Sequence, residues 1–339
     1  MPSTALPSAF DALRSHSSDG HVRSAIERIA VSDLSPGEVV LRAQYAGVNY
    51  KDCLAIHGQA RIITEFPRVA GIEAVGVVTH SDCQEFQPGD AVMVHGHQTG
   101  IAFDGGFSEY LRVPKAHLQK VPAGLNPLEC AVLGVPAFTV AMALERFEEL
   151  GLQPGSGLVA VSGAGGAVGL LAIAILSKAG HPVAAITRRM EHAPVLRELG
   201  AAEVIDAAVL AQPQRPLEKA RFAAAIDNVG GPMLSWLLRS METGGRVASV
   251  GNAGGNTYEG SVLPFIMRGV QMFGVVANAP WPQRLRLWER LAGDLRPDID
   301  RLMPHVHRIA LAQLMDHATQ QLKGATSGRT LVDFEAAVA

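Results

Sequence analysis

The chain has few cysteines and a small net charge, and each of these features excludes some classes of protein. Its three cysteines, Cys53, Cys83 and Cys130, lie far apart and form no Cys-x-x-Cys pair. This argues against a disulfide framework and favours a reducing compartment. The formal net charge is −3 with both signs spread along the chain, so neither a nucleic-acid footprint nor a membrane-surface footprint is indicated.

Long hydrophobic runs are also missing. The two longest apolar stretches, residues 131–144 and 168–176, are too short or too interrupted to span a bilayer. The first 20 residues lack the basic start and apolar core of a secretory signal. We therefore expect a soluble, cytoplasmic protein, and 339 residues are enough for one large or two moderate domains.

What the chain does contain is a change of pattern near its middle. Residues 39–122 are rich in β-branched runs and turn signals, as in "EVVLRAQYAGVNY" and "QPGDAVMV". From residue 128 the apolar spacing becomes helical, and after residue 154 strands alternate with helices. The six strands predicted there are Leu158–Ser162, Val183–Thr187, Glu203–Asp206, Ala223–Asp227, Arg246–Val250 and Gln271–Val276.

Helices are predicted between most of these strands. Residues 168–179 and 193–199 have helical spacing, and each run is followed by glycine, which is the usual left-handed cap. Repeated strand–helix units of this length imply an α/β fold with a parallel, doubly wound sheet covered on both faces. Beyond residue 278 we expect a helix over 283–295 and a terminal strand in "RTLVDF", which return to complete the first domain.

A glycine-rich loop directly follows the first of these six strands. Gly163, Gly166 and Gly169 form G-x-x-G-x-x-G, whereas the common dinucleotide fingerprint is G-x-G-x-x-G, with Val168 here at its last glycine position. Strand, loop, helix and second strand nevertheless follow in order, so we interpret the loop as a cofactor site rather than a plain tight turn. The residues predicted to let a phosphate approach the backbone are Gly163, Ala164, Gly165, Gly166, Ala167 and Val168.

The second strand ends without the acidic residue that would accept hydrogen bonds from an adenosine ribose. Thr187, Arg188 and Arg189 stand there instead. The planar guanidinium of arginine donates paired hydrogen bonds to a phosphate dianion, and it pairs poorly with a neutral diol. This favours a 2′-phosphate and predicts NADPH rather than NADH, while two solvated surface arginines remain the alternative.

With these features in place, the chain from about residue 10 to 334 resembles the medium-chain dehydrogenase/reductase superfamily. The segments that carry the resemblance are "GVNYKDCLAIHG", "FPRVAGIEAVGVV", "FQPGDAVMV", "GGFSEYLRVP", "LGVPAFTVAMAL", "PLEKARFAAAIDNVGG", "LPFIMRGVQMFGV" and "SGRTLV". They are most similar to the zinc-free quinone oxidoreductases, in the group that includes NADPH-dependent acrylyl-CoA reductases. The resemblance implies a GroES-like β-rich domain over 1–128 and 278–339, a six-stranded Rossmann domain over 129–277, an active site in the cleft between them, and a homodimer.

The same segments argue against a metal. Asn49 and Ile72 stand where the zinc alcohol dehydrogenases that resemble this chain have cysteine and histidine. Neither an amide nor an alkyl side chain is a good zinc ligand, so we expect no metal site. His95 and His97 lie two residues apart and are interpreted as solvent-facing side chains.

Without zinc, the resemblance implies hydride transfer from NADPH to the β-carbon of an activated double bond, as in acrylyl-CoA. Charge then develops on the carbonyl oxygen, and the α-carbon needs a proton. The polar candidates lie in "NYKD": Asn49 and Asp52 would organise substrate and nicotinamide, and Tyr50 would contact the cofactor and donate the proton. For Asp52, a structural hydrogen bond at a helix start is an equally good interpretation.

Two further segments are assigned from their positions. Gly251 and Asn252 follow the fifth predicted strand and should approach the nicotinamide half of the cofactor. Asp227 is interpreted as structural, and Arg329, together with Lys323, as a weaker candidate for phosphate contacts. Two other functions stay open: an NADPH quinone reductase, and a non-catalytic NADPH-binding protein with a structural or regulatory role.

Overall fold

A computed structural model describes residues 6–211 and 215–336, which form two compact units. The first comprises Met1–Val135 with His305–Ala339, and the second Pro136–Pro304. The strands are β1 (Phe10–Ser18), β2 (His21–Ile29), β3 (Val39–Val48), β4 (Arg68–Val69), β5 (Glu73–Ser81), β6 (Ala91–His95), β7 (Tyr110–Val113), β8 (Leu118–Lys120), β9 (Leu158–Ser162), β10 (Val183–Thr187), β11 (Ala201–Asp206), β12 (Phe222–Asp227), β13 (Met241–Ser249), β14 (Gln271–Gly274), β15 (Val306–Ile309) and β16 (Arg329–Asp333). The helices are α1 (Tyr50–Ile56), α2 (Pro127–Glu149), α3 (Ala167–Lys178), α4 (Ala193–Glu198), α5 (Gly231–Ser240), α6 (Leu263–Arg268), α7 (Trp281–Ala292), α8 (Ile299–Leu302) and α9 (Leu314–Leu322).

The first unit is built mainly of antiparallel strands. Its larger sheet has the order β15-β16-β3-β5-β6-β8, with β7 paired to β3, and a smaller sheet has the order β2-β1-β4. The apolar residues of the segments predicted to be β-rich form its core, which includes Val39, Leu41, Val92 and Leu111. The returning C-terminal strand β16 pairs antiparallel with β3, so the end of the chain completes this unit as expected.

The second unit contains the predicted parallel sheet. Its strand order is β11-β10-β9-β12-β13-β14, and the pairs along it are parallel. This is the 3-2-1-4-5-6 order of dinucleotide-binding folds, with the order reversing between β9 and β12. The predicted α/β fold class is confirmed.

The predicted strand bounds differ from the observed ones by one or two residues at β11, β12 and β14, and by more at the start of β13. β9 and β10 have the predicted ends, whereas β13 begins at Met241 instead of Arg246. Phe222 pairs with Met241 across an irregularity in register before Ala224 pairs with Arg246. The "TGG" segment, residues 243–245, lies inside this strand and precedes its predicted start.

The boundary between the units also differs from the predicted one. Residues 281–292 form α7, which lies in the second unit instead of returning to the first. The cause is its packing on the C-terminal part of α2: Trp288 stacks on Phe138 with ring centroids 6.2 Å apart. Arg290 adds an ion pair to Glu148, with Nη1 and Oε2 at 2.6 Å. The pattern of α7 alone does not show which helix it will pack against.

The helix α2 is longer than the apolar stretch recognised in the sequence. It has 23 residues and is long and apolar enough, by length and composition, to cross a membrane. Most of its apolar window, 72%, is buried inside the protein, as in the core helix of a globular domain. Its backbone breaks at Gly134, where φ is 46° and ψ is −154°.

Candidate cofactor and active sites

The glycine loop has the geometry of a phosphate-binding turn despite its altered spacing. Gly163 turns the chain with φ of +60°, a conformation that favours glycine. A Cβ on Gly169 would lie 2.4 Å from the carbonyl oxygen of Gly163, so this glycine lets α3 pack closely against the loop. A Cβ on Gly166 would meet only one atom, at 3.5 Å, and Gly166 is exposed. The loop thus has a turn glycine, an open glycine and a packing glycine.

The remaining loop residues divide between anchoring and open positions. The N–H of Ala164 donates to the carbonyl of Ile186 at 3.1 Å, and the side chain of Ala164 is fully buried. Ala164 therefore ties the loop to β10 and does not offer its amide to a ligand. Ala167 and Val168 begin α3, and their N–H groups donate to no other described residue. These amides point to the place where a helix attracts an anion.

The turn after β10 presents the predicted basic residues. Thr187 is buried, and its hydroxyl accepts a hydrogen bond from the N–H of Arg189 at 3.0 Å, so the threonine shapes the turn. Arg188 is exposed and Arg189 is half-buried. Since β10 lies beside β9 in the parallel sheet, this turn and the glycine loop leave the same sheet edge.

Asp227 organises the same edge on the other side of β9. Its carboxylate accepts hydrogen bonds from Ser162 Oγ at 2.6 Å and from the N–H of Gly230 at 2.9 Å, and burial raises its pKa. A Cβ on Gly251 would lie 2.4 Å from the carbonyl oxygen of Asn228, so glycine is required where these loops approach. Asn252 is exposed beside it. Asp227 therefore has the structural contacts expected of it.

These features of the second unit fit a dinucleotide. An open glycine cradle, unpaired helix-start amides and a basic turn lie on the carboxyl edge of β9 and β10, next to the point where the strand order reverses. Ligands of open parallel sheets bind at this place. In our reading, the cradle would hold the pyrophosphate and the basic turn would hold the adenosine ribose.

In the first unit, Asn49 and Asp52 belong to one hydrogen-bonded network at the start of α1. The N–H of Asn49 donates to Asp52 Oδ2 at 2.9 Å, and the N–H of Ile72 donates to Asp52 Oδ1 at 3.0 Å. The amide of Asn49 donates from Nδ2 to Glu73 Oε1 at 2.7 Å and to Asp52 Oδ2 at 3.2 Å. The contacts are those of a helix-start acid, the structural alternative for Asp52.

The environment of Asp52 changes its acidity. Its side chain is 1% exposed, and burial raises its pKa to about 7, opposed by the hydrogen bonds from Asn49 and Ile72. The charge of nearby Glu73 acts in the same direction as burial. Asp52 is therefore held where it exchanges its proton near neutral pH.

A buried ion pair that sequence reasoning missed completes this network. Arg329 Nη2 lies 2.7 Å from Glu73 Oε1 and 2.8 Å from the carbonyl oxygen of Ala131, and both charged side chains are nearly inaccessible. Glu73 Oε2 accepts from the N–H of Val135 at 2.7 Å. The suggested phosphate contact for Arg329 is therefore wrong, because its guanidinium is buried in the first unit and makes its hydrogen bonds there. Lys323 is exposed just after α9.

Two glycines leave the room that this ion pair needs. A Cβ on Gly47 would lie 2.1 Å from Arg329 Nη2 and 2.2 Å from Glu73 Oε1. A Cβ on Gly134 would lie 2.3 Å from Glu73 Oε2, in addition to the strain of its positive φ. The break in α2 at Gly134 therefore lies where the helix backbone passes close to the Glu73 carboxylate.

Tyr50 has no role in this network. It is the first residue of α1 and is half-buried. Among the residues that the structure describes, none makes a hydrogen bond to its hydroxyl. The hydroxyl is accordingly available to a ligand.

The side chains at this place do not fit a zinc ion. Asn49 uses its amide hydrogens on Glu73 and Asp52, and the side chain of Ile72 has no donor atom. No group of three or more His, Cys, Asp or Glu side chains suited to a metal occurs within residues 6–211 and 215–336. The interpretation of His95 as solvent-facing is wrong: it ends β6 and is 3% exposed, and the half-buried His97 stacks on His117 at 4.8 Å.

Comparison with known proteins decides the family. Residues 35–123 match the alcohol dehydrogenase GroES-like domain, and residues 167–292 match the zinc-binding dehydrogenase domain. The acrylyl-CoA reductase AcuI of Ruegeria pomeroyi is 38% identical over 94% of this chain and 96% of its own. The chain belongs to the medium-chain dehydrogenase/reductase superfamily. The predicted superfamily, its oxidoreductase class and its GroES-like domain are confirmed.

Other members of the superfamily are similar along nearly the whole chain. The Bacillus subtilis protein YhfP, which is named as a quinone oxidoreductase, is 36% identical over 95% of this chain and 98% of its own. The crystal structure of the Salmonella enterica oxidoreductase YhdH, in complex with NADP, has a TM-score of 0.89 at 35% identity. It covers 96% of this chain and 100% of its own.

Proposed function

We propose that this chain is an NADPH-dependent reductase of the activated double bond of a short enoyl-CoA such as acrylyl-CoA. The observation that carries this proposal is the near full-length likeness to the acrylyl-CoA reductase of R. pomeroyi. The site residues agree with it, since a carbon that is already electrophilic needs no zinc and the residues at Asn49 and Ile72 do not fit one.

The proposed cofactor follows from the second unit together with the superfamily. The relative from S. enterica was solved with NADP, and the basic turn of this chain suits a 2′-phosphate better than a free ribose diol. The backbone of Gly165, Gly166, Ala167 and Val168 would receive the pyrophosphate. Arg188 and Arg189 would receive the 2′-phosphate, and Gly251 and Asn252 would line the nicotinamide half.

The proposed chemistry divides between the cofactor and this chain's residues. When bound, the reduced nicotinamide supplies the hydride for the β-carbon of the substrate. In this proposal the Oη of Tyr50 gives a proton to the α-carbon of the acyl group. Asn49 and Asp52 act by position: their hydrogen bonds hold the start of α1 and so the direction of Tyr50.

The experiment follows the product rather than NADPH loss alone. Purified protein with NADPH and acrylyl-CoA should form propionyl-CoA, detected by mass spectrometry, and free acrylate should react far less because it lacks the CoA contacts. Longer enoyl-CoA substrates should react progressively more slowly as the acyl pocket fills. Tyr50→Phe, which keeps the ring, should lower kcat more than it raises KM. Failure to form propionyl-CoA under any of these conditions would remove the acyl-CoA assignment.

A quinone reductase is the second candidate, favoured by the name of YhfP at 36% identity. An accessible hydride donor reduces many acceptors, so some quinone turnover is compatible with either function. The difference lies in selectivity. A quinone reductase should show no preference for a thioester over a simple benzoquinone.

We further propose a cytoplasmic homodimer. The three cysteines are free, which suits a reducing compartment. The strand β14 is paired only with β13 among the described residues, and the side chains of Val262, Ile266 and Val276 around it are 66–75% exposed. An apolar, unpaired sheet edge suits a second copy that extends the sheet across a two-fold axis. Val276→Asp should yield a monomer in light scattering, and an unchanged mass would contradict this interface.

A further inference from the structure

The imidazole of His192 lies directly against the glycine loop. A Cβ built on Gly165 would lie 3.0 Å from His192 Nδ1 and 3.7 Å from Cε1. His192 is half-buried and ends the turn that follows β10, where its N–H donates to the carbonyl of Arg189 at 3.0 Å. The histidine therefore touches the pyrophosphate cradle and is tied by its backbone to the basic turn.

Neither ring nitrogen of His192 makes a hydrogen bond to another described residue. The ring is not among the buried groups that lack a partner, so at least part of it faces open space. A half-buried imidazole with unengaged nitrogens is free to bind an anion. Its place beside Arg189 puts that anion at the adenosine end of the expected cofactor.

We propose that His192 is the third basic group of the 2′-phosphate site, beside Arg188 and Arg189, and that it adds to the preference for NADPH over NADH. The proposal rests on the proposed function, since it needs NADPH as the cofactor. An imidazolium N–H donates a charge-assisted hydrogen bond to a phosphate oxygen, whereas a neutral ring donates a weaker one.

The charged groups around His192 favour this reading. Glu191 is the acidic residue of its own turn, set against Arg188 and Arg189, while the packed loop of residues 163–166 has no titratable side chain. The helix α4 begins at the next residue and carries Arg197 and Glu198 in its last turn. The neighbouring strand β11 ends at Asp206, whose carboxylate accepts from the N–H of Ala208 at 2.8 Å. Across these elements basic and acidic groups are balanced, and the N–H of His192 donates to the carbonyl of Arg189.

The test measures cofactor affinity rather than turnover. Dissociation constants for NADPH and NADH are measured by nucleotide fluorescence at a pH well above the second pKa of a phosphomonoester, which is near 6, so that the 2′-phosphate is mostly dianionic. His192→Gln should weaken NADPH binding roughly five- to tenfold and leave NADH binding within twofold of the wild type. His21→Gln, at an exposed site on β2, is the matched control and should change nothing.

Each other outcome decides against the proposal. Equal weakening of NADPH and NADH would mean that His192 acts on the pyrophosphate or on loop shape. An unchanged NADPH affinity in the variant, with the wild-type preference for NADPH intact, would show that His192 is not part of the 2′-phosphate site while the proposed cofactor stands. A wild-type protein that does not prefer NADPH would overturn both. Thermal unfolding of the variant separates a folding defect from these results.

Discussion

Replacing Arg329 by methionine should destabilise the first unit strongly, because it leaves the Glu73 carboxylate buried without its counter-ion. Both side chains are nearly inaccessible, and Arg329 also donates to the carbonyl oxygen of Ala131. Breaking a buried pair by removing one partner costs about 3–5 kcal/mol, since an uncompensated charge stays in the interior. The remaining donors to Glu73, from Asn49 and Val135, relieve part of this cost.

The assay is native-state hydrogen exchange at the amides of β3 and β16, which reports the free energy of opening of the first unit alone. The pair Arg28–Asp11, with Nη1 and Oδ1 at 3.3 Å and both side chains exposed, provides the control. Arg28→Met should cost less than about 1 kcal/mol. Adding Glu73→Gln to Arg329→Met should recover part of the lost stability, because the buried charge is then gone. A loss from Arg329→Met no larger than that from Arg28→Met would refute the reasoning.

Three further predictions concern the cofactor, the metal and the pH dependence. Arg189→Ala should remove a charge-assisted hydrogen bond of roughly 1.5–3 kcal/mol, which weakens NADPH binding about ten- to a hundredfold and barely changes NADH binding. Arg197→Ala, on α4, is the control. Equal affinities of the wild type for NADPH and NADH would contradict the 2′-phosphate site. Elemental analysis should find no stoichiometric zinc, and a chelator should leave activity and folding unchanged; one tightly held zinc per chain would overturn the metal-free site. Burial raises the pKa of Asp52 to about 7. Its contribution to stability is therefore complete below the unfolded pKa near 4 and is lost as the pH rises through about 7, with a slope of up to about 1.4 kcal/mol per pH unit. Urea unfolding from pH 5 to 8 should show this extra slope in the wild type and not in Asp52→Asn, and identical slopes would refute it.

The sequence predicted the parallel sheet well because its signals are local. The strands β9 (LVAVS) and β10 (VAAIT) are short apolar runs that contain β-branched residues, and Gly180 and Gly200 end the helices before the next strands. The glycine loop was recognised from its place between a strand and a helix. Its altered spacing turned out to preserve the turn, open and packing positions at Gly163, Gly166 and Gly169.

The parts that sequence reasoning missed depend on contacts between distant residues. Glu73 and Arg329 are 256 positions apart, and nothing in either segment indicates that their charges meet in the interior. The helix α7 was assigned to the wrong side of the domain boundary because its partner helix is about 140 residues earlier. His192 was overlooked because only the fold brings it against Gly165.

The most direct test of the central claim compares kcat/KM, with NADPH as the reductant, for acrylyl-CoA and for a simple benzoquinone under the same conditions. If this chain is an enoyl-CoA reductase, contacts to the CoA arm help to position the double bond, and acrylyl-CoA should have the larger value by a wide margin. If the quinone has the larger value by a wide margin, the acyl-CoA assignment is wrong, and only the fold and the proposed cofactor site remain.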